Sequence, residues 1–250
     1  MPPSFNASGV MQMLRKPKSA AERFFNGKEP VMRIITISRE FGSGGREIGK
    51  RLADELGIIY YDREIILEIA KNVKMDADYI ESTLSRRAIT NYPYTFRSSF
   101  ELIPAYPMQN ANLLAEQYKV IRSLAEKGDC VIVGRSACVI LDDYNPFKLF
   151  VYADMASKKA RCRSRAPANE KLTERELERK IKQIDKSRAE SHNMISPFAW
   201  GDKRGYDLCV NTTNIEIKSI VPAIAEFAEH WFDLHSVVKD EPLKNTDDKK

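Results

Sequence analysis

Three glycines and an arginine, Gly42, Gly44, Gly45 and Arg46, follow directly on the apolar run 33–38. They open a stretch that carries Ile48, Leu52, Ala53 and Leu56 on one helical face. Strand, glycine turn and helix together aim backbone N–H groups and the positive end of a helix dipole at an anion. Glycines let the backbone bend through conformations barred to other residues and come close to a phosphate. Gly42, Ser43, Gly44, Gly45 and Arg46 are therefore the candidate phosphate cradle, with the Arg46 guanidinium as a planar fork for phosphate oxygens.

The loop departs from the G-x-x-x-x-G-K-[ST] pattern of a Walker A motif. With Gly44 as the second glycine, Arg39 stands in place of the first, Gly45 in place of the lysine, and Arg46 in place of the Ser/Thr. The positive charge of the motif thus arrives one residue late.

Other candidates follow strand ends or lie in arginine-rich helices. Asp62 and Arg63 end the run 57–61, where an Asp–Arg pair can hold an acceptor's hydroxyl and phosphate; capping of the next helix by Asp62 is an equal reading. Arg135 emerges after the run 129–134, where Gly134 lets the chain turn. Arg161 and Arg165, four residues apart, share a helix face, and Asp185 and Arg188 lie on adjacent turns of the next helix. Phosphoryl transfer needs positioning and neutralisation of charge more than covalent help, so Arg46, Arg135, Arg161, Arg165 and Arg188 are candidate catalytic cations. Those on a closing lid would also exclude water. Asn211 and Thr212, after the last strand, are the adenine-side candidates, although N-T-T is also ordinary turn chemistry. No aspartate ends the run 129–134, so no metal ligand is identified.

These residues must be positioned by alternating elements. Apolar runs at 33–38, 57–61, 129–134, 147–153 and 206–211 read as strands. Amphipathic stretches at 46–56, 63–72, 76–87, 111–126, 155–165, 173–191 and 216–231 read as helices. Continuously apolar strands separated by such helices indicate a parallel sheet covered on both faces, with ligands beyond the strands' carboxyl ends. The pattern predicts a flexible arm over 1–31 and one domain over 32–234. It places an acceptor-side insertion at about 88–108, a lid at about 162–190 and a disordered tail at 235–250.

Composition narrows the classes. The 250 residues are 43% hydrophobic and 30% charged, the balance of an ordinary globular chain. No apolar run is long enough to span a membrane and no signal peptide is evident. Cys130, Cys138, Cys162 and Cys209 are scattered, as free thiols in a reducing cytoplasm would be. Residues 158–188 hold 12 Lys/Arg against 5 Asp/Glu, an excess that attracts an anion or merely solvates a helix face. Nucleic acid is the less favoured anion, since no aromatic-interleaved basic stripe accompanies the charge.

The segments I-T-I-S-R-E-F-G-S-G-G-R-E-I-G, Y-Y-D-R-E-I-I, V-I-V-G-R and W-G-D…Y-D-L-C-V-N-T, in that order, resemble the cytidylate kinase-like family, a branch of the P-loop nucleoside monophosphate kinases. The resemblance spans roughly 32–232. It implies a three-layer α/β/α P-loop NTPase fold with a parallel five-stranded sheet and an arginine-rich lid; the acceptor-side insertion differs in character from the CMP-binding insert of cytidylate kinases. It also implies transfer of the ATP γ-phosphoryl group to CMP or dCMP with Mg²⁺. On that view Asp62, Arg63, Arg135, Asp185 and Arg188 face the acceptor, and Arg161 and Arg165 belong to the lid. The chain differs from cytidylate kinases in Gly45 for the lysine, in Ser136 after Gly134-Arg135, and in Ile181 for an arginine. The alternatives are a non-catalytic nucleotide-binding regulator with a degenerate loop, or a phosphotransferase for another small acceptor.

Overall fold

A computed structural model describes residues 32–86, 106–166 and 172–237. The arm at 1–31, most of the expected insertion and most of the tail lie outside the described residues, and the chain divides into units at Met32 and Arg33. The second unit carries five strands: β1 (Ile34–Arg39), β2 (Ile59–Tyr61), β3 (Cys130–Val133), β4 (Phe147–Tyr152) and β5 (Leu208–Asn211). The helices are α1 (Gly45–Leu56), α2 (Glu64–Val73), α3 (Ala77–Arg86), α4 (Tyr106–Ala125), the single turn α5 (Ala137–Ile140), α6 (Met155–Arg165), α7 (Glu174–Asn193) and α8 (Ile217–Val237). Helix α4 begins at Tyr106, three residues inside the expected insertion, and α8 runs to Val237, into the expected tail.

All four strand pairings are parallel, in the order β2-β3-β1-β4-β5. The sequence builds this because β1, β3 and β4 are largely buried on both faces, a pattern that suits a sheet covered by helices on each side. Side chains alternate across the sheet. Ile35, Ile37, Val131, Val133, Leu149 and Val151 point to one face, against Ile48 and Leu52 of α1 and Val221, Ile224 and Ala228 of α8. On the opposite face Ser38 touches Cys138 of α5 across 3.5 Å, and Cys138 lies 4.0 Å from His192 of α7. The result is an α/β fold of the P-loop kind, its five-stranded parallel sheet flanked by helices.

Chain order puts the site where it is. From β1 the chain leaves toward β2 and β3, and from β4 it leaves toward β5, so β1 and β4 form a switch point. The loop after β1 occupies that crevice. The Glu40 amide donates to the Val151 carbonyl (2.9 Å), and the Ala153 amide donates to the Glu40 carboxylate (3.2 Å).

Candidate active site

The turn between β1 and α1 takes positive φ at Gly42 (80°) and at Gly44 (88°), the N-cap of α1. The first-turn amides of α1, at Gly45, Arg46 and Glu47, have no acceptor within the helix, an arrangement that can receive an anion. Ser43 is buried and its hydroxyl donates to the Glu40 carbonyl (2.8 Å), which shapes the turn instead of reaching outward.

A buried cation sits behind this loop. Lys158, near the start of α6, is 5% exposed; its ammonium lies 2.7 Å from Asp185 and 3.1 Å from Glu40. Asp185 also accepts from the Phe41 amide at 2.6 Å. Expected beside the acceptor, Asp185 instead lines neither cavity and ties the glycine loop to α6 and α7. Neither Lys158 nor Glu40 was a sequence candidate; Lys158 is indistinguishable, in sequence, from the solvated lysines of its charged segment.

Two cavities flank the loop. One, of about 290 Å³, is bounded by the glycine turn, Arg161, Arg163, Arg165 and Lys180. The other, of about 690 Å³, is lined by Arg39, Arg46, Arg63, Arg135 and Arg188 and by Trp200, Met194, Ile195 and Leu84. Arg39, Phe41, Arg46 and Arg188 belong to both walls. Of the sequence candidates, Arg46, Asp62, Arg63, Arg135 and Arg188 thus converge on one place.

Asp62 does not cap α2; Arg63 holds the N-cap position and no side chain caps it. The Asp62 carboxylate lies 2.6 Å from Arg46 and 3.8 Å from Arg39. Arg135 sits in the left-handed region at φ 56°, between Gly134 (81°) and Ser136 (54°). For a non-glycine residue that conformation costs on the order of 1 kcal/mol or more, a price often found at functional sites. Here it turns Arg135 into the larger cavity, 3.6 Å from Glu81. Arg188 donates to the Arg39 carbonyl (2.9 Å) and lies over the Phe41 ring. Five arginines face two carboxylates, Asp62 and Glu81, around this cavity. Burial, and then repulsion among neighbouring arginines, pulls the Arg39 pKa down to about 9. Burial likewise lowers those of Arg135 and Arg188. All remain protonated at neutral pH, a crowding of charge that an anion relieves.

The lid-side candidates are engaged differently. Arg161 donates to the carbonyls of Thr212, Ile215 (3.2 Å) and Gly42 (3.4 Å), stitching the β5–α8 loop to the glycine turn. Arg165 pairs with Glu47, and Arg163 with Glu174 at 3.1 Å. Thr212 is fully buried and donates to the Ser43 carbonyl (2.7 Å), bracing the turn from below. Asn211 accepts from the Thr213 amide at 3.0 Å and from the Thr213 hydroxyl, the turn chemistry expected of N-T-T. Neither adenine-side candidate lines a described cavity.

The residues present do not fit a protein-held Mg²⁺. The position that would supply a hydroxyl ligand is Arg46, no carboxylate ends β3, and no group of three or more His, Cys, Asp or Glu suited to a metal occurs among the described residues. No helix among them is long and apolar enough to cross a membrane.

A model of the cytidylate kinase-like family matches residues 34–214. Among solved structures, an uncharacterised protein from Eubacterium ventriosum is 28% identical, with a TM-score of 0.58, covering 79% of this chain and 98% of that one. A shikimate kinase from Bacteroides thetaiotaomicron is 16% identical (TM-score 0.49; 79% and 99% covered). A deoxyadenosine kinase from M. mycoides, solved with dCMP and a flexible dCDP, is 12% identical (TM-score 0.44; 79% and 99% covered). No curated protein matches the chain.

Proposed function

The chain belongs to the cytidylate kinase-like family, and from that premise we propose that it transfers the γ-phosphoryl group of ATP to a nucleoside monophosphate, with CMP or dCMP as the acceptor. The observation that carries this is the shared wall: Arg39, Arg46 and Arg188 line both a cavity at the glycine turn and a larger one that Trp200, Met194, Ile195 and Leu84 also line. ATP phosphates belong in the first and the acceptor in the second, its phosphate beside the arginines.

The charge balance favours a phosphate acceptor over an alcohol. An alcohol needs a general base, whereas Asp62 and Glu81 are each engaged by arginine. A phosphate oxygen attacks the γ-phosphorus without a base. The new P–O bond forms as the β–γ bridging bond breaks, and ADP leaves with the electron pair. Arg46, Arg135 and Arg188 neutralise the charge that gathers on the equatorial oxygens. Any Mg²⁺ enters as the ATP complex, since the described residues provide no cage for it.

The test is ADP release from ATP·Mg²⁺ with CMP, dCMP, UMP, AMP and GMP in turn. Turnover on CMP or dCMP, collapsing in Arg188→Ala, supports the reading. A folded protein that binds ATP yet turns over none of the five overturns it, and favours a nucleotide-binding regulator.

A further inference from the structure

Positions 39 and 45, which exchange residue types relative to a Walker A loop, are in contact. A Cβ placed on Gly45 would lie 2.5 Å from Arg39 Cβ and 3.0 Å from Arg39 Cγ. Only one of the two positions can carry a side chain. The Arg39 side chain then crosses Gly134 so closely that a Cβ there would overlap its guanidinium, so Gly134 is needed for space as well as for its positive φ.

Arg39 lines both cavities, and its guanidinium lies beside Gly134 and Asp62 of the larger one. Its surroundings leave its charge largely unspent. Asp62, from the end of β2, lies 3.8 Å away and is taken more closely by Arg46. Arg46 from α1, Arg135 after β3 and Arg188 from α7 add only like charge. Arg46, the residue next to the lysine's position in sequence, has a side chain 69% exposed, against 15% for Arg39. A cation that is buried, under-compensated and set between two ligand cavities is better placed to meet a phosphoryl group in transit than one that is exposed and paired.

We infer that Arg39 is the catalytic cation of this loop: it contacts the transferred phosphoryl group, does the lysine's work from the opposite side of the turn, and requires glycine at 45 and 134 to reach it. The inference rests on the proposed phosphoryl transfer and names the residue responsible for it. Arg39 keeps its proton throughout, so the balance of the step is unchanged.

The experiment is a reciprocal exchange, read as ATP affinity by titration calorimetry and as turnover with CMP. Arg39→Ala should lower kcat by roughly 10³-fold or more and weaken ATP at least about tenfold. Arg39→Lys, which keeps charge and bulk but loses the fork, should fall between it and the wild type. Gly45→Lys alone should be as impaired as Arg39→Ala, because the new side chain drives Arg39 out of place. The pair Arg39→Gly with Gly45→Lys should exceed the worse single variant by about tenfold or more, as coupled positions do. Melting curves on every variant separate lost function from lost fold, and Arg39→Lys carries the test if the others unfold.

Arg39→Ala within a few-fold of wild type in both readouts, with Arg46→Ala collapsed, overturns the inference and hands the role to Arg46. A double variant no better than the worse single also overturns it. If the wild type turns over no acceptor, the functional reading fails by itself; ATP affinity still decides Arg39, and equal affinity in wild type and Arg39→Ala sinks it. A wild type that binds no ATP removes both.

Discussion

Two arginine groups border the glycine turn, and they use their charge in opposite ways. Around the larger cavity Arg39, Arg46, Arg135 and Arg188 crowd together, with Asp62 beside Arg39 and Arg46, Glu81 near Arg135 and Asp185 near Arg188. On the lid side Arg161 spends its donors on main-chain carbonyls, while Arg163 and Arg165 each take a glutamate. The first group is held at an energetic cost that a bound anion removes; the second is already satisfied by the protein. Arginine content therefore says little about catalysis, and the presence or absence of compensation says a great deal.

The comparison can be broken at its largest effect first. Lys158→Met leaves Asp185 buried without its cation beside Glu40, and should cost about 3–5 kcal/mol of stability, read by denaturant unfolding. Arg135→Ala should leave the unfolding midpoint nearly unmoved while kcat falls about 10²–10³-fold, a donor lost from the transition state. Arg161→Ala should show the reverse: about 2 kcal/mol lost from stability as charged hydrogen bonds disappear, with a smaller loss of turnover than Arg135→Ala. Equal kinetic damage at Arg135 and Arg161 would dissolve the distinction between the groups.

Titration sharpens it further. The unliganded Arg39 pKa lies near 9, below its ordinary value, and a bound anion pushes it back up. ATP affinity should therefore be full below about pH 9 and decline as pH rises through it, measured by calorimetry between about pH 7 and 10. Asp62, Arg46, Arg135 and Arg188 surround the group, and only Asp62 opposes the shift. The smallest effect belongs to Arg163→Ala: an exposed pair with Glu174, whose loss should leave both the unfolding midpoint and kcat nearly unmoved.

Much of the scaffold was legible in the sequence. Continuous apolar runs located all five strands; for the central β1, β3 and β4, burial on both faces leaves little polar alternation to disguise them. Helix α5 escaped notice: Ala137–Ile140 is one turn of small and apolar residues, too short to show a helical period. The site was readable where chemistry coincides with a strand end, as at Arg135 and Asp62. It was opaque where three-dimensional contact assigns the role. Arg39 registered as a mismatch to a motif, since only the contact with Gly45 reveals the two departures as one exchange. Lys158 was hidden in a charged run because sequence separation conceals its partners, 118 and 27 residues away. Asp185 and Thr212 suggested ligand contacts, yet their side chains meet the loop's own backbone.

The buried Lys158 junction also constrains how α6 and α7 can move. Helix α6 is pinned at Lys158 and Arg161, and α7 at Asp185 and Arg188, all against the glycine turn or the residue before it. Helices fixed at those points cannot swing as a whole without pulling the glycine turn along. Any travel of this pair thus belongs to the far end of α6 and the near end of α7, like pliers whose rivet lies close to the bite. A rivet in that position gives a short stroke with firm alignment, and it couples the spacing of the two helices to the shape of the turn.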